Sequence, residues 1–334
     1  MTNITTYDFI SSNSRKTVWL MILFPISLAV IVYLIILLAS AVVAVDNSQI
    51  YNRVSVLAFA NQTAAHVLPV VSVIAILWVL ISYYAGQNFV LSVVGAVELT
   101  KKNAPEVIRT VENVAVAAGL PVPKIYAIND EALNAFATGR DPTHSYIVLT
   151  KGIINKLEKP ELEGVIAHEM SHIGNRDIRL MLIMIVCISF ATVVAELLLR
   201  FVLTAKINKS KNNNSSAAVQ IFLFALATAF YMYGYLIAPL IKFAVSRTRE
   251  FQADATAALI TRNPQGLIDA LKKISGNSRV EKLSDKQTIS SVCIANPLTK
   301  DKQNSFFSKI SGLFATHPPI EDRIKVLQAM DGYR

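Results

Sequence analysis

The amino-acid sequence predicts an α+β fold that is mostly helical, contains one small β-meander and is anchored by four transmembrane helices. The first observation behind this prediction is composition, since 53% of the 334 residues are hydrophobic and only 16% are charged. Such a chain is too apolar for an ordinary soluble protein. The second observation is that the apolar residues form four long stretches, while two polar blocks between and after them are together long enough for one soluble domain.

The first transmembrane helix is predicted at about residues 17–45, because no charged residue interrupts the run from Thr17 to Val45. About 20 apolar residues are enough to cross the hydrocarbon core of a membrane. A secretory signal peptide is the alternative, since Arg15 and Lys16 precede the run. Signal peptides have apolar cores of only about 7–15 residues, so we expect the segment to be retained. The second helix is predicted at about residues 66–86.

The third and fourth apolar stretches cover residues 180–205 and 217–245, and Gly234 and Pro239 are expected to bend the last one. A hairpin buried within the protein is the alternative, although each stretch is longer than a usual core helix. The predicted organisation is therefore a membrane hairpin in residues 1–100, half of a soluble domain in 101–179, a second membrane hairpin in 180–245 and the other half of the domain in 246–334.

The net charge of +9 does not indicate nucleic acid as a partner, because the basic residues are scattered and no nucleic-acid motif accompanies them. A lipid bilayer with a negative surface is the simpler partner. Lys and Arg beside the apolar stretches place both polar blocks in the cytoplasm. The opposing signal is a basic loop between the third and fourth stretches, with Lys206, Lys209 and Lys211.

The segment His-Glu-Met-Ser-His at residues 168–172 has the clearest chemical meaning in the sequence. It lies in a predicted helix, in which Pro160 suits the first turn. Residues four apart project from one face of a helix, so His168 and His172 can hold one zinc ion. Glu169 lies beside them and can act as the general base that takes a proton from an attacking water. This spacing is typical of zinc peptidases, and it predicts one Zn²⁺ per subunit.

The alternative for this segment is a chance combination on an ordinary helix. Two imidazoles and a carboxylate on an otherwise apolar helix would then still need buried partners, and a metal ion meets that need. The motif alone leaves one ligand to be found, because a catalytic zinc ion usually has three protein ligands and one water.

Candidates for the third ligand are Glu250, Asp254, Asp177, His317 and Asp322. Two predicted spans separate the His-Glu-Met-Ser-His segment from residues 246–254. Because two spans cross the membrane and return, the two segments lie on the same side of it. Glu250 and Asp254 share a helix face there, which suits one as ligand and the other as acceptor for a histidine N–H. The alternative for this pair is an exposed acidic face that forms ion pairs with Arg247 or Arg249.

Four motifs together resemble the HtpX heat-shock metalloprotease family: the segments at 133–139 (LNAFATG), 168–172 (HEMSH), 246–255 (SRTREFQADA) and 316–319 (THPP). The resemblance spans nearly the whole chain, in the family's order. It implies a gluzincin-type zinc peptidase with His168, His172 and Glu250 as ligands and Glu169 as base, which leaves the orienting role to Asp254. It also implies a bacterial-type inner membrane location, a catalytic domain in the cytoplasm and degradation of misfolded membrane proteins.

Three short β-favouring stretches separated by turns predict the meander, at residues 124–128, 133–138 and 145–149. Residues Asn134, Ala135, Phe136 and Ala137 would then lie on a strand that leads towards the zinc ion. The family resemblance suggests that this strand pairs with an extended substrate. A purely structural strand with Phe136 in the core is the alternative.

The sequence leaves open the role of His317 and the choice between three classes of protein. His317, followed by two prolines, could stabilise the transition state or form a turn that docks the last helix. The main alternatives to the predicted endopeptidase are a prenyl-protein peptidase of the CAAX type, which has more spans than the four predicted here, and a non-catalytic zinc-containing scaffold or chaperone. A homo-oligomer is compatible with the sequence.

Overall fold

Helices dominate the protein in its computed structural model, which describes residues 6–46, 53–204, 224, 226–233, 247–276 and 318–331. Helix α1 covers Thr6–Asp46 and helix α2 covers Arg53–Val94. Each contains a segment long and apolar enough to cross a membrane, Ile10–Ala41 in α1 and Val56–Val94 in α2. Large apolar side chains on both helices are exposed, among them Trp19, Leu34 and Ile81, as a lipid environment requires.

A third candidate span, Asp177–Arg200, lies in the helix that begins at Asp177 and ends at Thr204. It agrees with the apolar stretch predicted at residues 180–205. Of the fourth predicted helix, residues 217–245, only residues 224 and 226–233 are described, and these are helical. The part of the chain that the structure describes thus contains three candidate spans, one fewer than the sequence predicts, because most of the fourth lies outside it.

The polar blocks form shorter helices around a shared apolar core. In chain order these are α3 (Pro105–Ala118), α4 (Lys151–Lys156), α5 (Lys159–Gly174), then the long helix described above as α6 (Asp177–Thr204), α7 (Arg247–Thr261), α8 (Pro264–Gly276) and α9 (Ile320–Asp331). Helix α5 supplies the centre of the core through Val165, Ile166 and Met170, which are fully buried. The two polar blocks of the sequence therefore build one core, to which α7, α8 and α9 contribute from the second block.

The predicted small sheet is present, but its strand order is not that of a meander. Strands β1 (Val97–Leu99), β2 (Lys124–Ile128), β3 (Ala135–Asp141) and β4 (His144–Thr150) are arranged in the order β1-β2-β4-β3. Strand β2 runs parallel to β4, and β3 pairs only with β4, antiparallel and at the edge. Strand β4 therefore lies inside the sheet, between β2 and β3, and ends in a run of buried residues.

A close approach between helices fixes the position of α5. A Cβ atom added at Gly164 would lie 2.8 Å from the backbone nitrogen of Leu267 on α8, closer than any real contact of this kind. Only glycine lets the two helix backbones come this near. We infer that this contact holds α5 firmly against α8, and α5 carries the two histidines of the predicted metal site.

Contacts divide the chain into two units. One contains residues 1–17, 83–185 and 239–334, and therefore includes the sheet, α5, α7, α8, α9 and the first turns of α1. The other contains residues 18–82 and 186–238, which include most of the apolar helices. In this second unit the rings of Trp78 and Phe190 are 5.1 Å apart, centroid to centroid.

Candidate metal centre

Helix α5 begins as the sequence predicts. Pro160 occupies its first turn, and the backbone N–H of Glu158 donates to the side chain of Glu161 at 2.7 Å. Proline is favoured there because the first N–H groups of a helix have no partner within it. The helix runs on to Gly174 and is buried along most of its length, so His168 and His172 project from it inside the protein.

Three side chains converge at one point. The Nε2 atoms of His168 and His172 lie 3.2 Å apart. The carboxylate of Glu250, on α7, is 3.7 Å from each of these nitrogens. His168 and Glu250 are completely buried, and one ligand atom from each of the three residues lies within 4.8 Å of the others. Among the described residues this is the one cluster that meets the geometric requirement for a metal site.

The other nitrogen of each ring faces a carboxylate. Nδ1 of His168 is 2.9 Å from Asp254 and Nδ1 of His172 is 2.9 Å from Asp177. An ionised carboxylate only accepts hydrogen bonds, so each Nδ1 carries the proton and each Nε2 presents a lone pair. The two Nε2 atoms point at each other at 3.2 Å, so either a shared proton or a bound cation must lie between them. The donor set therefore fits a metal ion.

Asp254 is itself held by a buried guanidinium. Nε of Arg323 donates to Oδ2 of Asp254 at 2.8 Å and Nη2 donates to Oδ1 at 2.6 Å, and both residues are fully buried. This two-bond pairing fixes the plane of the carboxylate. Arg323 lies on α9, beside the acidic residues Glu321 and Asp322, and nothing in that local sequence distinguishes it from an exposed charge.

Asp177 has a comparable set of partners. It begins α6 directly after a turn in which Arg176 adopts φ 60°, an uncommon backbone conformation for a residue other than glycine. The turn brings the Asp177 carboxylate back to His172 on α5. Oδ1 of Asp177 accepts from Arg249 at 2.9 Å and from the amide of Asn13 at 2.6 Å. Sequence reasoning did not single out Asn13, and it treated Arg249 only as a surface charge.

The pKa values of the site reflect burial and these partners. Burial lowers the pKa of His168 to about 4. Burial also pulls down the pKa of His172, but the hydrogen bond to Asp177 and the charge of Glu250 outweigh it and raise the pKa to about 9. For Asp254, burial favours the neutral form, yet the charge of Arg323 dominates and lowers the pKa to about 2.

The charge balance also favours a cation. Near the two imidazoles the described residues include four carboxylates and only two guanidinium groups: Glu169, Asp177, Glu250, Asp254, Arg249 and Arg323. The raised pKa of His172 reflects this excess of carboxylates, because a positive charge on its ring is favoured. A divalent cation between the Nε2 atoms would supply positive charge at the same point, and buried charges are stable only when they are compensated.

Glu169 lies next to this cluster on α5 and is almost completely buried. The backbone N–H of Ala137, on β3, lies near its carboxylate and favours the ionised form. Burial raises the pKa of Glu169 to about 7, although the nearby His172 favours the ionised form. Its Oε1 has no hydrogen-bond partner among the described residues. A buried carboxylate oxygen of this kind is suited to accept a proton during a reaction.

The remaining predicted site residues are placed as follows. Asp177 accepts a hydrogen bond from Nδ1 of His172 and is not one of the three residues whose ligand atoms converge. Asp322 is half exposed and lies 3.9 Å from Lys325. Asn134, Ala135, Phe136 and Ala137 are buried beside or within edge strand β3. His317 lies outside the described residues.

Comparison with known proteins agrees with this picture. Residues 101–331 match the profile of Peptidase family M48. A protein from Bacteroides fragilis strain YCH46, described as "Protease HtpX homolog", is 38% identical over 318 residues, which are 95% of this chain and 96% of the relative. A protein of the same description from Listeria monocytogenes serotype 4a strain HCC23 is 36% identical over 331 residues, which are 97% and 99% of the two chains.

The chain is also similar to a relative that it covers less fully and to a solved structure. A "Protease HtpX homolog" from Dictyoglomus thermophilum is 40% identical over 253 residues, 75% of this chain and 78% of the relative. Among solved structures, the crystal structure of S. mikatae Ste24p covers 74% of this chain and 55% of that chain at 19% identity, with a TM-score of 0.44 that supports no structural argument. The family profile and the relatives that span nearly the whole chain establish that this protein belongs to peptidase family M48, as a membrane metalloprotease of the HtpX type.

Proposed function

We propose that this chain is a zinc-dependent endopeptidase in which His168, His172 and Glu250 are the ligands and Glu169 is the general base. The observation that carries the proposal is the convergence of the two Nε2 atoms, 3.2 Å apart, with the Glu250 carboxylate 3.7 Å from each. Ligand atoms in a tetrahedral zinc site lie about 3.3 Å from one another when each is about 2.0–2.1 Å from the ion. The separations in this chain are close to that value.

The number and type of donors support zinc over other metals. Two imidazole nitrogens and one carboxylate are a ligand set of catalytic zinc sites, which leave one position for water or substrate. Magnesium and calcium prefer oxygen donors, so two imidazoles disfavour them. We propose one zinc ion per subunit, because the described residues contain one such cluster.

The residues around the ligands have separate tasks in hydrolysis. When bound, zinc supplies a Lewis acid that activates water and polarises the carbonyl of the scissile peptide bond. Glu169 accepts a proton from the attacking water and passes it to the nitrogen of the leaving amine. Asp254 and Asp177 hold the two imidazoles in the tautomer that presents Nε2. An intact base beside the ligands has no use in a scaffold that keeps zinc only for stability.

We further propose that the substrate lies against β3. This strand is at the edge of the sheet, and the N–H of its Ala137 lies near the carboxylate of Glu169. An extended peptide that adds to a sheet edge is held through its backbone, without regard to sequence. Binding at residues 134–137 would therefore bring a peptide bond close to Glu169 and suit a protease with many unfolded substrates.

The proposed substrates are unfolded or misfolded membrane proteins, and the proposed location is the cytoplasmic membrane of a bacterial cell. Support comes from the candidate spans and from the resemblance to HtpX proteases. The prenyl-protein peptidase is not favoured, because the relatives that span nearly the whole chain are described as HtpX homologues.

A chelation experiment tests the proposed function. Detergent-purified protein should cleave an unfolded protein and leave the same protein uncut when it is folded, since an edge strand binds only extended chains. A zinc chelator should stop cleavage, and added zinc should restore it, because the ligands form a site only with the ion present. Cleavage that continues in full after zinc has been removed would contradict the proposal.

The proposed orientation is tested by labelling single cysteines in cells. In a background where Cys187 is replaced by Ala and Cys293 by Ser, a reagent that cannot cross the membrane should label Asn213→Cys, in the predicted external loop. It should not label Val116→Cys, whose native side chain is 79% exposed on α3, until the membrane is permeabilised. The excess of Lys and Arg beside the spans motivates this expectation. The opposite labelling pattern would reverse the orientation.

A further inference from the structure

An asparagine far from the catalytic motif in sequence contacts the residues that support it. Asn13 lies in the second turn of α1, and its side chain is only 2% exposed. Its Nδ2 donates to Oδ1 of Asp177 at 2.6 Å and to the backbone oxygen of Asn175 at 3.0 Å. Asn13, Asn175 and Asp177 belong to the same unit of the structure. The amide of Asn13 therefore bonds both the turn after α5 and the acid that follows it.

The partners of Asp177 are divided between its two oxygens. Oδ2 accepts from Nδ1 of His172 at 2.9 Å. Oδ1 accepts from Arg249 at 2.9 Å and from Asn13 at 2.6 Å. Two donors from α1 and α7 thus hold one oxygen, and this orients the other oxygen towards the histidine. A carboxylate held in this way fixes the ring plane and tautomer of the imidazole that it binds.

The turn that Asn13 contacts is also part of this arrangement. The backbone N–H of Asn175 donates to the backbone oxygen of Ser171 at 2.9 Å, and that of Arg176 donates to the backbone oxygen of Ile173 at 3.1 Å. These two bonds end α5. Arg176 then adopts its positive φ, and such a conformation persists only where surrounding contacts impose it. The bond from Asn13 to the oxygen of Asn175 is one of these contacts. The same side chain therefore stabilises the path by which Asp177 returns to His172.

We propose that Asn13 is a positioning residue of the metal centre, which acts through Asp177 on the zinc affinity of His172. The inference rests on the proposed function, since it takes His172 as a zinc ligand. It extends the centre to a residue outside the M48 match at 101–331. The first turns of α1 are then needed for metal binding as well as for membrane insertion.

The test measures zinc affinity in the full-length, detergent-purified protein by competition with a chromophoric chelator. Asn13→Leu and Asn13→Ala remove the amide donor with a larger and a smaller side chain. Each should weaken zinc binding about 10-fold, at the low end of the effect usual for groups that orient a metal ligand. Asp177→Ala should weaken it about 10- to 100-fold. Absorption of the cobalt-substituted protein should shift in the same variants, because it reports ligand geometry.

Thr17→Val is the matched control. Thr17 lies one turn further along α1, is equally buried, and its hydroxyl donates to the backbone oxygen of Asn13 at 2.8 Å. Its replacement removes a buried hydrogen bond of the same helix without contact with Asp177. Zinc affinity and cobalt spectrum should match those of the wild type, although the thermal stability of the protein falls.

A double-mutant cycle separates positioning from general stability. If Asn13 acts through Asp177, Asn13→Leu should cause little further loss of zinc affinity in the Asp177→Ala background. Unchanged zinc affinity in both single Asn13 variants, or an equal loss with and without Asp177, would overturn the inference and leave the proposed function intact. A wild-type protein that binds no zinc would instead overturn the proposed function.

Discussion

Replacement of Glu169 by Gln is expected to reduce cleavage about 100- to 10,000-fold, the usual contribution of a general base, while the bound zinc remains. Gln has nearly the shape of Glu, so the packing around this buried side chain should be preserved. It cannot take a proton from water at neutral pH, so the chemical step fails while the site keeps its form. Zinc content of the purified variant and its turnover of an unfolded substrate are the two measurements.

The matched control is Glu163→Gln, the same change on the same helix. Glu163 is partly exposed and lies 4.0 Å from Lys159, and an exposed ion pair of this kind contributes little to stability. Its activity and zinc content should equal those of the wild type. Loss of zinc in Glu169→Gln would show that Glu169 is a ligand, and full activity in that variant would show that another group is the base.

The second large effect is expected to distinguish the role of Glu250, as a zinc ligand, from that of Asp254, which orients a ligand. Glu250→Ala should release zinc at ordinary zinc concentrations and abolish activity, because the two remaining imidazoles do not complete a catalytic zinc site. Replacement of Asp254 should weaken zinc binding about 10- to 100-fold, and activity should return when zinc is added in excess. The difference arises because Asp254 contacts Nδ1 of His168, on the side of the ring away from Glu250.

The choice of substitution at Asp254 matters because of Arg323. Removal of one partner from a buried ion pair costs about 3–5 kcal/mol, so Asp254→Ala would destabilise the fold together with the site. Asp254→Asn keeps the side-chain volume and one oxygen that can accept from Arg323, although it removes the charge and the second acceptor oxygen, so it is the less disruptive variant. Its zinc affinity, measured at several zinc concentrations beside that of Glu250→Gln, should be the higher of the two. The reverse order would assign the third ligand to Asp254.

Local patterns predicted most of the fold, and they predicted that the segments carrying His168, His172 and Glu250 lie close together. The pairing of His168 with His172 follows from helical spacing alone. Glu250 could be placed near them because two apolar stretches separate their segments and return the chain to one side of the membrane. Membrane spans and the start of α5 also have local signals, since uninterrupted apolar residues and a proline in the first helical turn are visible in the sequence.

The residues that were missed act only through distant partners. Arg323 meets Asp254, 69 residues away in the chain, and Asn13 meets Asp177, 164 residues away. Neither stands in a motif, because a buried arginine on α9 and a buried asparagine near the start of a candidate span look the same in sequence as exposed ones. Burial decides their role, and burial depends on packing that is established only by the complete fold.

The strand order was missed for a related reason. The three predicted strands were found close to their true positions, but alternation of side chains identifies a strand without identifying its neighbour. Strands β3 and β4 pair through the short connection between them, as a meander would. The parallel pairing of β2 with β4 requires residues 129–134 to pass across the end of the position that β4 occupies, and no local pattern in that segment indicates it.

The wide spacing of the partners has a consequence for the time at which the protease becomes active during synthesis. Chains are made at about 5–20 residues per second, so the 155 residues that separate His168 from Arg323 require about 8 to 31 s of translation. Until then helix α5 is present without Arg323, which holds the carboxylate of Asp254 beside His168. Because groups that orient a metal ligand typically change metal affinity about 10- to 100-fold, we expect the unfinished chain to bind zinc more weakly than the complete protein.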